Sequence, residues 1–386
     1  MSRRVLAALA VVVMSVVTGA CATAGGVDAG AHANDGPPRV TLEGDVAKEV
    51  LGEDDGFQGV IFYGAELAGS IDDCGCPSEP QGGLPWRLGY TEGFRSAYPD
   101  VAYLQVDAGH SMADLIDNKG QLLSDQNVKC EWVVKAFDRF GFDAVNITHK
   151  DIYYLSKFLK AGEWEKAVAA QPGLGRFVSA NLEPEKPDSG LVAPPAYVVR
   201  TMTGGRLPGG SVRIAFIGLT ENNPNLPLHT GFKVVSPEIA LERVLPKARA
   251  ESDVVVVLLY GGPEIAQSLS KRTVGQVSTF IVSHPTSRDK EPQLGPVNIV
   301  YARFQTRNLG ELRMKFDGKS LASVTNRYVL MNAKLPKDPL AEAMAAEAEE
   351  AIKKAQIERF NNTNPSAGGA TSSAPVPADV PAPGGK

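Results

Sequence analysis

The sequence is poor in cysteine, with 4 in 386 residues, so no disulfide framework supports the fold. It has no excess of positive charge: 39 Lys and Arg face 44 Asp and Glu, a formal net charge of -5, and nucleic acid is therefore not an expected partner. Histidine is scarce, at 5 residues, which makes the position of each imidazole informative. Long apolar runs are scarcer still, and after the first 20 residues none reaches the roughly 18 residues a membrane span requires. What is present is ordinary globular material, 43% hydrophobic and 22% charged, enough for a large buried core. Collagen-like, coiled-coil and wholly disordered chains are excluded.

The N-terminus carries Arg3 and Arg4, an apolar run from Val5 to Val17, then Thr18, Gly19 and Ala20 before Cys21. A basic start, a short apolar stretch and small residues make a secretory signal peptide, residues 1–20. The string VTGAC resembles a bacterial lipobox, with Thr18 where such boxes usually carry Leu, Val or Ile. That resemblance implies lipidation at Cys21 and, because Ala22 rather than Asp follows, an outer-membrane anchor facing the periplasm. An ordinary leader cut near Ala22 or Ala24 is the alternative. Either way the chain is expected to be exported, and in the lipobox reading the lipid is its only attachment to the membrane.

Residues 21–56 are rich in Ala, Gly and Asp and read as a flexible tether, and residues 362–386 as a disordered Pro/Ala/Gly/Ser tail. Between them, 57–335 is expected to form one domain and 336–361 a C-terminal helix. Apolar runs predict strands at Val60–Tyr63, Val101–Val106, Ala144–Ile147, Phe177–Ala180, Val212–Gly218, Val254–Tyr260, Phe280–Val282, Val297–Phe304 and Glu311–Phe316. Several are continuous rather than alternating, as in strands covered on both faces. Helices are expected at Leu84–Ala97, Val128–Phe140, Ile152–Phe158, Glu163–Ala170, Pro237–Ala250, Pro263–Ser270 and Pro339–Phe360. Strands alternating with helices give an α/β architecture, and the strands from Val297 to Leu330, which lack intervening helices, add an antiparallel part.

Sites in such folds gather at the carboxyl ends of strands. There the sequence places Glu66, the loop Asp72-Asp73-Cys74-Gly75-Cys76-Pro77 with Gly82-Gly83-Leu84, Asp107-Ala108-Gly109-His110, Thr148-His149-Lys150-Asp151, Asn181, Tyr260-Gly261-Gly262 and Ser283-His284-Pro285-Thr286. This order resembles the calcineurin-like metallophosphoesterases, in particular the 5′-nucleotidase branch and lipoproteins with a Cys-Gly-Cys loop. The similarity runs from about Phe57 to Phe316 and includes FDAVNI, SANL, RIAFIGLT and SDVVVVLL. It implies a four-layer α/β/β/α sandwich of the metallo-dependent phosphatase type, with two metals bridged over the strand ends.

The ligand motifs of that family are largely replaced here. Asp-x-His becomes Glu66-Leu67-Ala68, the bridging Asp becomes His110, and Asn-His becomes His149-Lys150. The next His position is Tyr260 or Gly261, and Gly-His-x-His keeps only His284, with Thr286 in the second place. A two-metal phosphoesterase needs an anionic ligand bridging both ions, and a neutral imidazole does not bridge as a carboxylate does. Family-type hydrolysis is therefore expected to be lost.

Three readings follow. In the first, a catalytically degenerate exported lipoprotein binds a protein or a small anionic ligand in the old cleft. In the second, Glu66, His110, His149 and His284 form a mononuclear site for one divalent metal, Zn or Mn, with Lys150 and Asp151 as candidate catalytic residues of a phosphoester hydrolase. In the third, Cys74 and Cys76, with Cys130 as a candidate third thiolate, form a redox pair or trap a metal. If the second and third fail, no cofactor is expected. Gly82-Gly83 is expected to form a turn, Arg87 and Arg95 to be solvated, and Trp86 to pack in the core.

Overall fold

The computed structural model describes residues 36–73, 75–76, 78–115, 123–222 and 230–363. The strand runs fold into two facing sheets. The first has the order β13(Ser320–Leu330), β12(Asn308–Asp317), β1(Gly59–Gly64), β2(Ala102–Asp107), β3(Ala144–Asn146), β4(Phe177–Val178). Strands β1 to β4 run parallel, and β12 and β13 add an antiparallel ribbon at the β1 edge. In the second sheet the order is β11(Asn298–Tyr301), β10(Thr279–Ser283), β9(Val254–Tyr260), β7(Ser211–Thr220), β6(Tyr197–Thr203), with only β6 antiparallel. A small pair, β5(Leu182–Pro184) and β8(Phe232–Val234), lies apart.

The continuous apolar composition of these strands is explained by what covers them. Ile61, Leu104, Val106, Phe216, Val256 and Leu258 meet between the sheets. Helices α2(Leu84–Ala97), α3(Ser124–Arg139) and α8(Pro339–Thr363) pack on the outer face of the first sheet, and α6(Pro237–Glu251) and α7(Pro263–Arg272) on that of the second. The result is the expected single-domain α/β/β/α sandwich. Each fully buried Leu, Val, Ile or Phe contributes about 1.5–3 kcal/mol, so the three interfaces supply the bulk of the stability. Shorter helices α4(Ile152–Leu155) and α5(Trp164–Ala170) follow β3.

One stretch departs from expectation. Helix α1(Gly44–Leu51) lies inside the segment read as a tether, and Val40, Leu42 and Leu51 around it are buried. The reason is a polar latch. Arg327 donates to the carbonyls of Val50 and Leu51, Arg313 donates to those of Leu51 and Glu53, and both guanidiniums pair with the buried Glu311. Upstream, Arg39 is held by Glu92 and Asp338. Arg87 is corrected too: it is fully buried, donates to the Val106 carbonyl and lies 4.5 Å over the Phe142 ring, because the turn into α2 aims it between strand ends. Arg95 pairs with Glu92, and Trp86 is 4% exposed in the core. Among the described residues no helix is long and apolar enough to cross a membrane. Residues 1–35, with Cys21, and 364–386 lie outside the described residues.

Candidate functional site

The loops after β1 and β2 are zipped together at their strand ends. Glu66 N–H donates to Gly109 O, Ala68 N–H to His110 O, and Gly69 N–H to Ser111 O. This pairing holds Glu66, Ala68 and His110 in left-handed conformations, with φ of 57°, 49° and 58°. Such conformations cost about 1–3 kcal/mol each and collect where a fold over-determines its backbone, often at functional sites. Gly109 at φ +106° admits no side chain, since a Cβ there would lie 2.5 Å from Thr148 Cγ2.

Asp151 closes the next loop onto this pair. One carboxylate oxygen accepts Met112 N–H, and the other accepts His110 N–H, Thr148 N–H and the Thr148 hydroxyl, all within 3.0 Å. It is fully buried, and burial raises its pKa against those hydrogen bonds. Asp151 thus clamps three backbone amides and the Thr148 hydroxyl at the base of these loops. Lys150, the other catalytic candidate, is half-buried and makes no ion pair among the described residues.

The four expected metal ligands do not converge. Glu66 is 0% exposed, and its carboxylate is gripped by the Arg288 guanidinium, with the Ser283 hydroxyl donating to Oε1 at 3.3 Å. Arg288 itself stacks 4.0 Å over the Phe304 ring. His284 turns Nε2 to Glu221, 2.8 Å away, and Nδ1 to Thr286 Oγ1 at 2.7 Å. His110, His149 and His284 each stand edge-on to Tyr260, at ring centroid distances of 6.0, 5.5 and 5.6 Å. A phenol ring thus occupies the ground the imidazoles share. Among the described residues no three His, Cys, Asp or Glu side chains are placed to hold an ion. The metal centre that the fold family implies does not fit these residues: the expected carboxylate is neutralised by an arginine, and the bridging position holds an imidazole.

Electrostatics follow from this packing. Burial holds His110 down at about 3 and His149 at about 4, with Lys150 nearby acting in the same direction, so both rings are neutral at physiological pH. Both ring nitrogens of His110 are buried without a hydrogen-bond partner. Burial pushes Asp107 up to about 6 despite the buried Arg87 beside it. For Glu221, burial raises the pKa, but hydrogen bonds from His284 and Gly262 outweigh it and hold the carboxyl below its ordinary value.

Cys130 lies on α3 in the core with its S–H directed at Ala113 O, and burial pushes the thiol up to about 12, which disfavours the thiolate there. Cys76 is exposed, and Cys74 lies outside the described residues. Gly82-Gly83 forms the expected turn for a reason of space. A Cβ on Gly82 would meet Gln305 O at 2.4 Å, and one on Gly83 would meet the Asp72 carbonyl carbon at 2.7 Å, so the pair lets the thiol loop approach α2.

Two residues of the site had escaped the sequence. Glu221 directly follows β7, and the strand-end rule applied there would have found it. Arg288, which pairs with a residue 222 positions away, carries no sequence signal.

With this geometry in place, comparison with solved structures shows what the fold is similar to. The sulfate thiohydrolase SoxB of Thermus thermophilus in complex with glycerol superposes with a TM-score of 0.58 at 18% identity, covering 77% of this chain and 61% of that one. A 5′-nucleotidase precursor, also from Thermus thermophilus, gives 0.56 at 17% identity, covering 76% and 59%. The calcineurin-like phosphoesterase YfkN of Bacillus subtilis gives 0.56 at 15% identity, covering 78% and 99%. The fold is that of the metallophosphoesterases, and this chain spans about three fifths of the length of the first two structures. No protein-family profile and no curated protein matches the sequence.

Proposed function

We propose that this chain is an exported lipoprotein, anchored through Cys21 at the outer membrane and facing the periplasm, whose metallophosphoesterase-fold cleft binds a small oxyanion without hydrolysing it. The observation that carries this reading is the pairing of charges at the strand ends. The Glu66 carboxylate, which would attract a cation, is already matched by Arg288, whereas the Lys150 ammonium has no carboxylate partner among the described residues. Beside it His110, 6% exposed, leaves two buried ring nitrogens unpaired, a cost of about 1–3 kcal/mol that a bound anion accepting the imidazole N–H would partly recover.

The test uses the full chain in detergent, purified without chelators. Titration with inorganic phosphate or sulfate is expected to raise the thermal midpoint, and Lys150→Gln is expected to remove that rise. Elemental analysis after exposure to Zn²⁺ and Mn²⁺ is expected to find substoichiometric metal. One tight equivalent, lost in a His110 or His284 variant, would overturn the reading in favour of a rebuilt mononuclear hydrolase.

A further inference from the structure

The contacts of His284 with Thr286 and Glu221 define a second constellation, distinct from the metal set its imidazole was expected to join. Thr286 Oγ1 lies 2.7 Å from His284 Nδ1, and His284 Nε2 lies 2.8 Å from Glu221 Oε1. The other Glu221 oxygen accepts Gly262 N–H at 2.9 Å, which fixes the carboxylate. Thr286 N–H also points at Nδ1, at 3.3 Å, so that nitrogen carries the lone pair and Nε2 carries the proton donated to Glu221. A hydroxyl on a basic imidazole nitrogen, with a carboxylate orienting the ring from the other side, is the arrangement that activates a weak nucleophile. The Ser287 hydroxyl and N–H both bond to His284 O at 2.9 Å and hold the turn, while Thr286 itself is exposed.

We infer that Thr286, His284 and Glu221 form a nucleophilic relay in which Thr286 takes up an acyl group from an activated ester. The inference goes beyond the anion-binding reading and does not depend on it. Thr286 Oγ bonds to the carbonyl carbon as its proton passes to His284 Nδ1. The carbon–oxygen bond to the leaving alcohol or phenol then breaks, and the leaving group takes that proton. Water repeats the sequence on acyl-Thr286, releasing the carboxylic acid and restoring the hydroxyl. The N-terminal end of α7 borders the hydroxyl, since a Cβ on Gly262 would lie 3.8 Å from Thr286 Oγ1. That same Cβ would lie 3.1 Å from the Glu264 carboxylate, and a carboxylate on this side of the hydroxyl favours a neutral acyl ester over an anionic phosphate or sulfate ester.

The experiment treats the full chain with p-nitrophenyl acetate and maps acetylation on the tryptic peptide Thr273–Arg288, which contains no lysine. One acetyl group on Thr286 is expected, retained in Thr286→Ser and absent in Thr286→Val, a change at an exposed position that circular dichroism can check for folding. His284→Asn should slow the adduct about 100-fold or more, as loss of a general base does. Glu221, a positioning residue, should give a slower adduct as Glu221→Gln, partly restored by Glu221→Asp. No acetyl on that peptide, or an unchanged rate in His284→Asn, overturns the relay. Phosphate protection unchanged in Thr286→Val would show that the anion reading stands or falls separately.

Discussion

Replacing Arg288 tests the central electrostatic argument, that a guanidinium has taken over the carboxylate of the strand-end cleft. Arg288→Ala would leave Glu66, 0% exposed, with only the Ser283 hydroxyl at 3.3 Å, among the described residues, to hold its charge. Removing one partner of a fully buried pair costs about 3–5 kcal/mol. Because the Arg288 side chain is 34% exposed, water can enter the gap, and about 2–3 kcal/mol is the better expectation. For a domain of this size that corresponds to a fall of roughly 5 °C in the thermal midpoint, measured by circular dichroism at neutral pH. The second half of the test is rescue. Adding Glu66→Gln removes the orphaned charge while keeping the side chain's shape, so the double variant should regain more than about 1 kcal/mol. An Arg288→Ala protein as stable as the parent, or a double variant no better than the single one, would refute the argument.

Acid should weaken the fold through the buried imidazoles. An unfolded histidine titrates near 6.5, whereas His110 is held at about 3, so below pH 6.5 the unfolded chain binds the extra proton and stability is lost as pH falls. His110→Asn, which suits a left-handed backbone, should therefore reduce the loss between pH 7 and pH 5 by about 2 kcal/mol in urea titrations. Asp107, raised to about 6, pulls the other way, with stability lost as pH rises toward 6, and cancels in this comparison. An identical pH dependence in parent and variant would count against the buried neutral ring. Deleting the chain before Gly56 removes α1 and the carbonyls that Arg313 and Arg327 bond, together with buried Leu42 and Leu51. At about 1.5–3 kcal/mol per leucine the truncated protein should lose roughly 3–6 kcal/mol, and a midpoint equal to that of the full chain would refute the latch.

How far the sequence could be read depended on the range of the interaction. Helix α2 and strand β9 were legible to the residue, because a Gly-Gly turn and an uninterrupted run of branched apolar residues are local signals. Strand β6 was missed because its mixed pattern, Tyr197–Thr203, is set by pairing with β7 at the sheet edge. Helix α1 was missed because its support comes from Arg313 and Arg327, far away in sequence. The site divided in the same way. The strand-end rule located Glu66, His110, His149, Tyr260 and His284, but their partners decide what they do. That Glu66 faces Arg288, that His284 faces Glu221 and that Asp151 faces backbone amides are all facts of tertiary contact.

The pinning of Arg39 between Glu92 and Asp338 has a mechanical consequence. If Cys21 carries a lipid, the described chain beyond it is held from Gly36, whose carbonyl accepts from Arg95, rather than from Gly56. Any pull from the N-terminal side would be borne by Arg95 and by two carboxylates, one on α2 and one just before α8, leaving the strand-end loops unloaded.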